Sequence, residues 1–213
     1  MAFNVNGFRS QMTGDGARPN LFECFISVAG LAVAGAQAAS NKFRFMCKSA
    51  QLPGSTLGVV TVPYFGREVK FAGNRTFADW SVTIINDEDF IVRKFFERWM
   101  NGINAHADNT RDSVLFRPSE YVMDATVLQY SKGGPQYGGV IAAYNFVGMF
   151  PTDISAIDLD WGSNDAIEEF TVNFTYQHWT NEQTTDKGQN AYNTVPTEPT
   201  LGNNGTTAQF FPR

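Results

Sequence analysis

Carboxylates, histidines and cysteines are the side chains in this 213-residue chain with the means to do chemistry, and their spacing decides how far each could go. Asp87-Glu88-Asp89 offers three consecutive carboxylates that could hold a divalent cation. The run sits immediately before an apolar pattern of helical period. Acidic side chains there cap free N–H groups and oppose the positive end of the helix dipole, a role that accounts for the cluster more simply than a metal does. Asp158, Asp160 and Asp165 could supply the facing carboxylate pair a glycosidase needs, but any acidic loop offers such pairs. His106 lies in a polar stretch and His178 at the end of an alternating one, neither with a partner at zinc-ligand spacing. Ser163 stands in a Trp-Gly-Ser-Asn turn without an adjacent base, and no G-x-S-x-G occurs. Cys24 and Cys47 fall on apolar faces, form no CxxC and read as core thiols in a reducing compartment. The expectation is a protein with no enzymatic activity, no cofactor and no metal.

The elements that would position these groups are mostly strands. Phe22 to Val28 places Phe22, Cys24, Ile26 and Val28 on one face, and Phe43 to Ser49 places Phe43, Phe45 and Cys47 on one face. These two are read as a hairpin closed by Leu52-Pro53-Gly54, with the Ala-rich tract at 30–39 as a loop, and a disulfide would require the two cysteines to face each other in it. Short strands are predicted at Val59–Val62 and Arg67–Phe71, and longer ones at Trp80–Ile85, Val122–Tyr130, Val140–Phe150 and Glu169–Trp179. One convincing helix, from about Asp89 to Asn101, carries Ile91, Phe95 and Trp99 on one face beside Val92, Phe96 and Ile103, with Gly102 as its stop. The fold class that follows is mainly β: an antiparallel β-barrel or sandwich with one flanking α-helix.

Three divisions follow from composition. Residues 1–19 read as an arm, 20–180 as the β domain and 181–213 as a flexible extension in which hydrophobicity collapses before Phe210-Phe211-Pro212-Arg213. The net charge of −5 opposes tight nucleic-acid binding and suits a surface that phosphates slide past. No run approaches the roughly 20 apolar residues of a membrane span, and the N-terminus lacks the pattern of a secretory signal. The sequons at Asn74, Asn173 and Asn204 therefore carry no weight.

Three segments join a large aromatic to a charged residue and a turn former beside a strand: Ala17-Arg18-Pro19-Asn20-Leu21-Phe22, Ala72-Gly73-Asn74-Arg75-Thr76-Phe77-Ala78-Asp79-Trp80 and Leu159-Asp160-Trp161-Gly162-Ser163-Asn164. With Arg67, their charged and aromatic residues have two readings. One is ordinary surface ion pairs, worth ~0–1 kcal/mol each, around a half-buried tryptophan. The other is anchors between subunits, where Trp and Arg are enriched. The candidate interface set is Arg18, Arg67, Arg75, Asp79, Trp80, Asp87, Glu88, Asp160 and Trp161.

Together with Cys47-Lys48-Ser49-Ala50, Leu52-Pro53, Val82-Thr83-Ile84, Asn86-Asp87-Glu88, Gln129-Tyr130 and Phe150-Pro151-Thr152, these segments resemble the tail tube proteins of T-even-type contractile phages over about residues 17 to 180. The resemblance implies a virion structural protein whose copies form hexameric rings stacked into a hollow tube. That tube would sit inside a contractile sheath, grow from a baseplate around a tape-measure protein, and pass DNA without binding it specifically. A tube protein of another contractile injection system, a single-ring baseplate initiator or a soluble β-sandwich binding module are the competing readings. Two departures from the family are the stretch Gly30–Asn41 and the extension after Asn181, either of which would reach a neighbouring ring or the sheath.

Overall fold

A computed structural model describes residues 4–12, 16–133 and 139–181 of the chain. Its body is two antiparallel layers that share one strand. The first layer runs β1 (Phe22–Ser27), β6 (Met123–Tyr130), β7 (Val140–Ile154) and β9 (His178–Asn181). The second runs from the C-terminal end of β7 through β8 (Glu169–Thr175) and β5 (Trp80–Ile85) to β2 (Cys47–Ala50). The strand passes between layers near Gly148, whose φ of +67° an L side chain rarely adopts. There the Gly148 N–H donates to the Asp124 carboxylate at 3.0 Å, and a register shift in β6 opposes the corner. The mainly β antiparallel class read from sequence holds.

Alternation explains the strands. Phe170, Val172 and Phe174 of β8 are buried, as are Trp80, Val82 and Ile84 of β5, and the intervening residues are not. The inner faces meet in an aromatic column: Trp80 stacks on Phe146 at 4.5 Å between centroids, and Phe174 lies 5.4 Å from Trp80 and 5.5 Å from Phe96. Phe96 belongs to α3 (Ile91–Ile103), which buries Val92, Phe95, Phe96, Trp99 and Gly102 at helical spacing. Gly102 is part of this helix rather than its stop. A Cβ there would lie 2.5 Å from Leu115 Cδ1, so glycine lets the buried Leu115 side chain pack closely against the helix, which runs on to Ile103.

The stretch predicted as a second strand and a loop is instead a helix, α2 (Ala36–Met46), followed only then by β2. Ala36, Ala39, Ser40 and Phe43 are buried at i, i+3, i+4 and i+7, while Phe45 points to solvent. The alternation of Phe43, Phe45 and Cys47 loses to this stripe and to the helix propensity of alanine. The Ser40 hydroxyl donates to the Ile26 carbonyl at 2.6 Å, pinning α2 to β1, and Phe43 meets Phe96 of α3 edge to face. The flanking layer therefore holds two packed helices. Since α2 separates β1 from β2, these strands are not a hairpin: β1 pairs with β6 and β2 with β5. Cys24 and Cys47 are free thiols, and a side-chain hydrogen bond with Cys47, then burial, push the Cys24 thiol far up.

Two further short α-helices are α1 (Val5–Gln11), within the arm and with no buried residue, and α4 (Pro118–Tyr121), ahead of β6. The extension beyond residue 181 lies outside the described residues.

Candidate subunit-assembly surface

Among the described residues β3 (Thr56–Tyr64) and β4 (Arg67–Thr76) pair only with each other, as a two-stranded ribbon separate from the body sheet. Its turn, Phe65-Gly66, has φ of +46° and +75°, the two positive values that match a tight turn to the twist of its strands. The root is tied to the body through the segment before it. Trp80 Nε1 donates to the Gln51 carbonyl at 2.9 Å, Trp179 Nε1 to the Gly54 carbonyl at 3.2 Å, and Arg75 Nη1 to Ser55 Oγ at 3.2 Å.

The register sorts the ribbon into two faces. Val60 lies opposite Phe71, Val62 opposite Val69 and Tyr64 opposite Arg67, so these six side chains share one face. The other face holds Val59, Thr61 and Pro63 against Ala72, Lys70 and Glu68. Five of the six residues of the first face are apolar and only Arg67 is charged, yet Val60, Val62, Tyr64, Val69 and Phe71 are all exposed, and Phe65 at the turn is 91% exposed. A two-stranded ribbon is marginal alone, and an apolar face of this kind marks an interaction surface.

A second exposed apolar region is the loop between β7 and β8. Leu159 and Ile167 are exposed there and Trp161 is fully so, at 101%. An open cleft of about 420 Å³ lies among Ile157, Leu159, Asp160, Trp161, Ile167 and Glu169. Asp160 Oδ1 accepts the Gly162 N–H at 2.9 Å and holds the turn that presents Trp161. Between residues 156 and 168 this loop has four carboxylates and no lysine or arginine.

The fold separates the candidate residues. Arg67 and Arg75 lie on the ribbon, and Asp160 and Trp161 on the acidic loop. Trp80 is 2% exposed and belongs to the core, so its place in the candidate set is corrected: strand alternation turns it inward. Asp79 is exposed but accepts the Thr175 hydroxyl at 2.7 Å instead of pairing with Arg75. Arg18 is exposed before β1, where its carbonyl accepts the Leu21 N–H. Asp87 and Glu88 are exposed ahead of α3. Asp89 Oδ1 accepts the Ile91 N–H at 3.0 Å and so satisfies the first N–H of the helix, while the N-cap position itself is Phe90, with φ of +54° and no side-chain cap. Lys42 of α2 also bridges Asp87, at 2.6 Å, and Asp89. Lys42 holds the Asp87 carboxyl below its ordinary value; for Asp89 the Ile91 N–H is the larger cause and Lys42 the second. The cluster thus joins two helices. The ribbon's apolar residues are absent from the sequence-derived candidates, because the alternation of Val60, Val62 and Tyr64 marks a strand without saying whether its apolar side is covered.

Among the described residues no group of three or more His, Cys, Asp or Glu side chains could hold a metal, and no helix is long and apolar enough to cross a membrane. Chemistry is thin here and unpartnered surface abundant. A family model for phage tail tube proteins matches residues 17–182.

The chain belongs to that family.

As a tail tube protein it is a structural component of the virion. It is 33% identical to tail tube protein gp19 of Enterobacteria phage T4 and to that of Enterobacteria phage T6, each over 80% of this chain and 95% of the relative. The tail tube protein of Serratia phage KSP90 is 28% identical, over 81% of this chain and 93% of that one. The tube protein's fold is shared with chains in cryo-EM structures of the anti-feeding prophage baseplate and of its tube-terminating cap. Both give a TM-score of 0.54 at 13% identity, over 78% of this chain and 94% and 90% of those chains.

Proposed function

We propose that copies of this chain close into six-membered rings that stack into the hollow inner tube of a contractile phage tail. The exposed apolar face of the β3–β4 ribbon carries this reading, because a contiguous apolar face of this kind gains free energy when a neighbour covers it and marks an interaction surface. Open sheet edges at β1 and β2 add surfaces that edge-to-edge pairing between subunits would satisfy. A heterologous contact repeated round a closed rotation forms a ring, and the shared fold with a chain of a six-fold symmetrised baseplate supports six copies.

In this reading the β domain spans residues 20–180, and Arg18, Arg67, Arg75, Asp79, Asp160 and Trp161 act in subunit contacts. The arm at 1–19 orders fully on assembly, and the extension from 181 reaches a neighbouring ring or the sheath. The tube forms in the host cytoplasm from the baseplate, around a tape-measure protein and beneath the sheath. Its acidic balance lets phage DNA pass without sticking. The subunit has no catalytic role.

Electron microscopy of the purified chain over a concentration series, with light scattering, tests the proposal. Hollow rods of uniform width are expected. Isolated rings at every concentration would replace it with a single-ring initiator, and a strictly monomeric particle at high concentration would overturn it.

A further inference from the structure

Two exposed surfaces of this subunit carry opposite charge and matching apolar groups. The ribbon bears Arg67, Lys70 and Arg75 against the single carboxylate Glu68: Arg67 shares the face of Tyr64 at the turn end, Lys70 and Glu68 lie on the other face, and Arg75 sits at the root. The loop between β7 and β8 bears Asp158, Asp160, Asp165 and Glu168 with no cation between residues 156 and 168. Among the described residues Arg67, Lys70, Asp158, Asp160 and Asp165 form no ion pair within the chain. Apolar groups accompany both: Tyr64 and Phe65 at the ribbon's turn, Leu159, Trp161 and Ile167 around the loop's cleft.

We infer that the turn end of the ribbon of one subunit docks into the Asp158–Ile167 cleft of a second copy, with Phe65 and Tyr64 against Trp161 and Arg67 among the loop's carboxylates. The occupant is a second copy of this chain because each surface supplies what the other lacks, in charge and in aromatic contact. An exposed ion pair alone adds little, but one set at the rim of an apolar contact fixes register and excludes like-charged faces. The contact is heterologous, so every subunit uses both surfaces and the chain of contacts continues until a rotation closes it. This deepens the assembly reading and rests on it.

Charge exchange tests the pairing. One variant reverses the ribbon (Arg67→Glu with Lys70→Glu), and another reverses the loop (Asp158→Lys with Asp160→Lys). All four side chains are surface groups, so each variant is expected to keep the wild-type unfolding transition, measured separately by circular dichroism. Each variant alone is expected to need about tenfold more protein than wild type to assemble, because like charges then meet at every contact. Mixed in equal amounts, the two are expected to co-assemble as alternating subunits. Assembly of each single variant at the wild-type concentration, or a mixture no better than either alone, would overturn the pairing while wild-type rods keep the tube reading intact. A wild type that forms no oligomer would instead overturn the reading beneath it.

Discussion

Gly58 and Gly73 face each other across the ribbon so closely that a Cβ on Gly73 would lie 3.0 Å from the Gly58 carbonyl carbon and 3.1 Å from its oxygen. The register shifts at this place, between Leu57 and Val59, so the two glycines build the bulge that sets the ribbon's twist above its root. Backbone atoms cannot move aside as a side-chain tip can. Gly73→Val is therefore expected to distort the ribbon and reduce tube yield. The unfolding free energy of the body should stay within about 0.5 kcal/mol of wild type, since the ribbon adds little to the core. Denaturant unfolding beside rod counts in micrographs measures both, and wild-type tubes from this variant would contradict the account.

Two tryptophans should separate folding from assembly. Trp80 packs against Phe146 and Phe174 with its indole N–H donated to Gln51, so Trp80→Ala should cost about 3–5 kcal/mol in denaturant unfolding. Trp161 is fully exposed, and Trp161→Ala should leave the unfolding midpoint in place while weakening oligomers seen by light scattering.

Acid should loosen the junction of α2 and α3. The Asp87 and Asp89 carboxyls titrate below their ordinary 3.8 in the folded chain, so their stabilisation is complete above that value and fades as pH falls through the folded pKa values. Lys42 is raised above its ordinary 10.5, chiefly by Asp87 and then Asp89, so its share is complete below 10.5 and fades as pH rises through the folded value. A plateau between these limits is expected. Lys42→Met should flatten the acid limb of thermal midpoint against pH but not abolish it, because Asp89 keeps its bond from the Ile91 N–H. An unchanged acid limb in that variant would refute the link.

Tyr176 offers a substitution in the opposite direction. Its ring packs on Phe146 at 4.9 Å and on Phe77 at 6.0 Å, but its buried hydroxyl has no hydrogen-bond partner among the described residues. Burial, with Asp79 nearby, holds the phenol neutral. Tyr176→Phe keeps the ring contacts and removes the unpaired hydroxyl, so stability should be unchanged or higher by up to about 1 kcal/mol. A loss above that amount in chemical denaturation would show a partner for the hydroxyl.

Much of this architecture was legible because strands buried on one face announce themselves by alternation. Trp80–Ile85 and Phe170–Tyr176 were readable for that reason, and α3 by its apolar stripe. The helix at Ala36–Met46 was not. Its buried stripe begins with two alanines and a serine, residues too small and polar to stand out beside the louder alternation of Phe43, Phe45 and Cys47. Trp80 misled in the other direction: its strand is predicted, but a tryptophan beside charged residues reads as an anchor until the face it occupies is known to turn inward. The ribbon's strands are predicted at Val59–Val62 and Arg67–Phe71, but their exposure is not, because their apolar residues alternate as a core strand's do. Sequence periodicity reports which side is apolar but not whether that side is covered by the same molecule. Only the coordinates expose Val60, Val62 and Tyr64 as a face awaiting a neighbour.

The strand shared between the two layers also has a mechanical meaning. In a sandwich of separate sheets, tension across the layers is borne by side-chain packing, which shears readily. Here β7 runs covalently from one layer into the other, and its hydrogen bonds to β6 and β9 on one side and β8 on the other lie in series along a single backbone. A pull on either layer is transmitted through peptide bonds rather than through the seam. A wall built of such units would resist delamination when a contracting outer layer drives it forward.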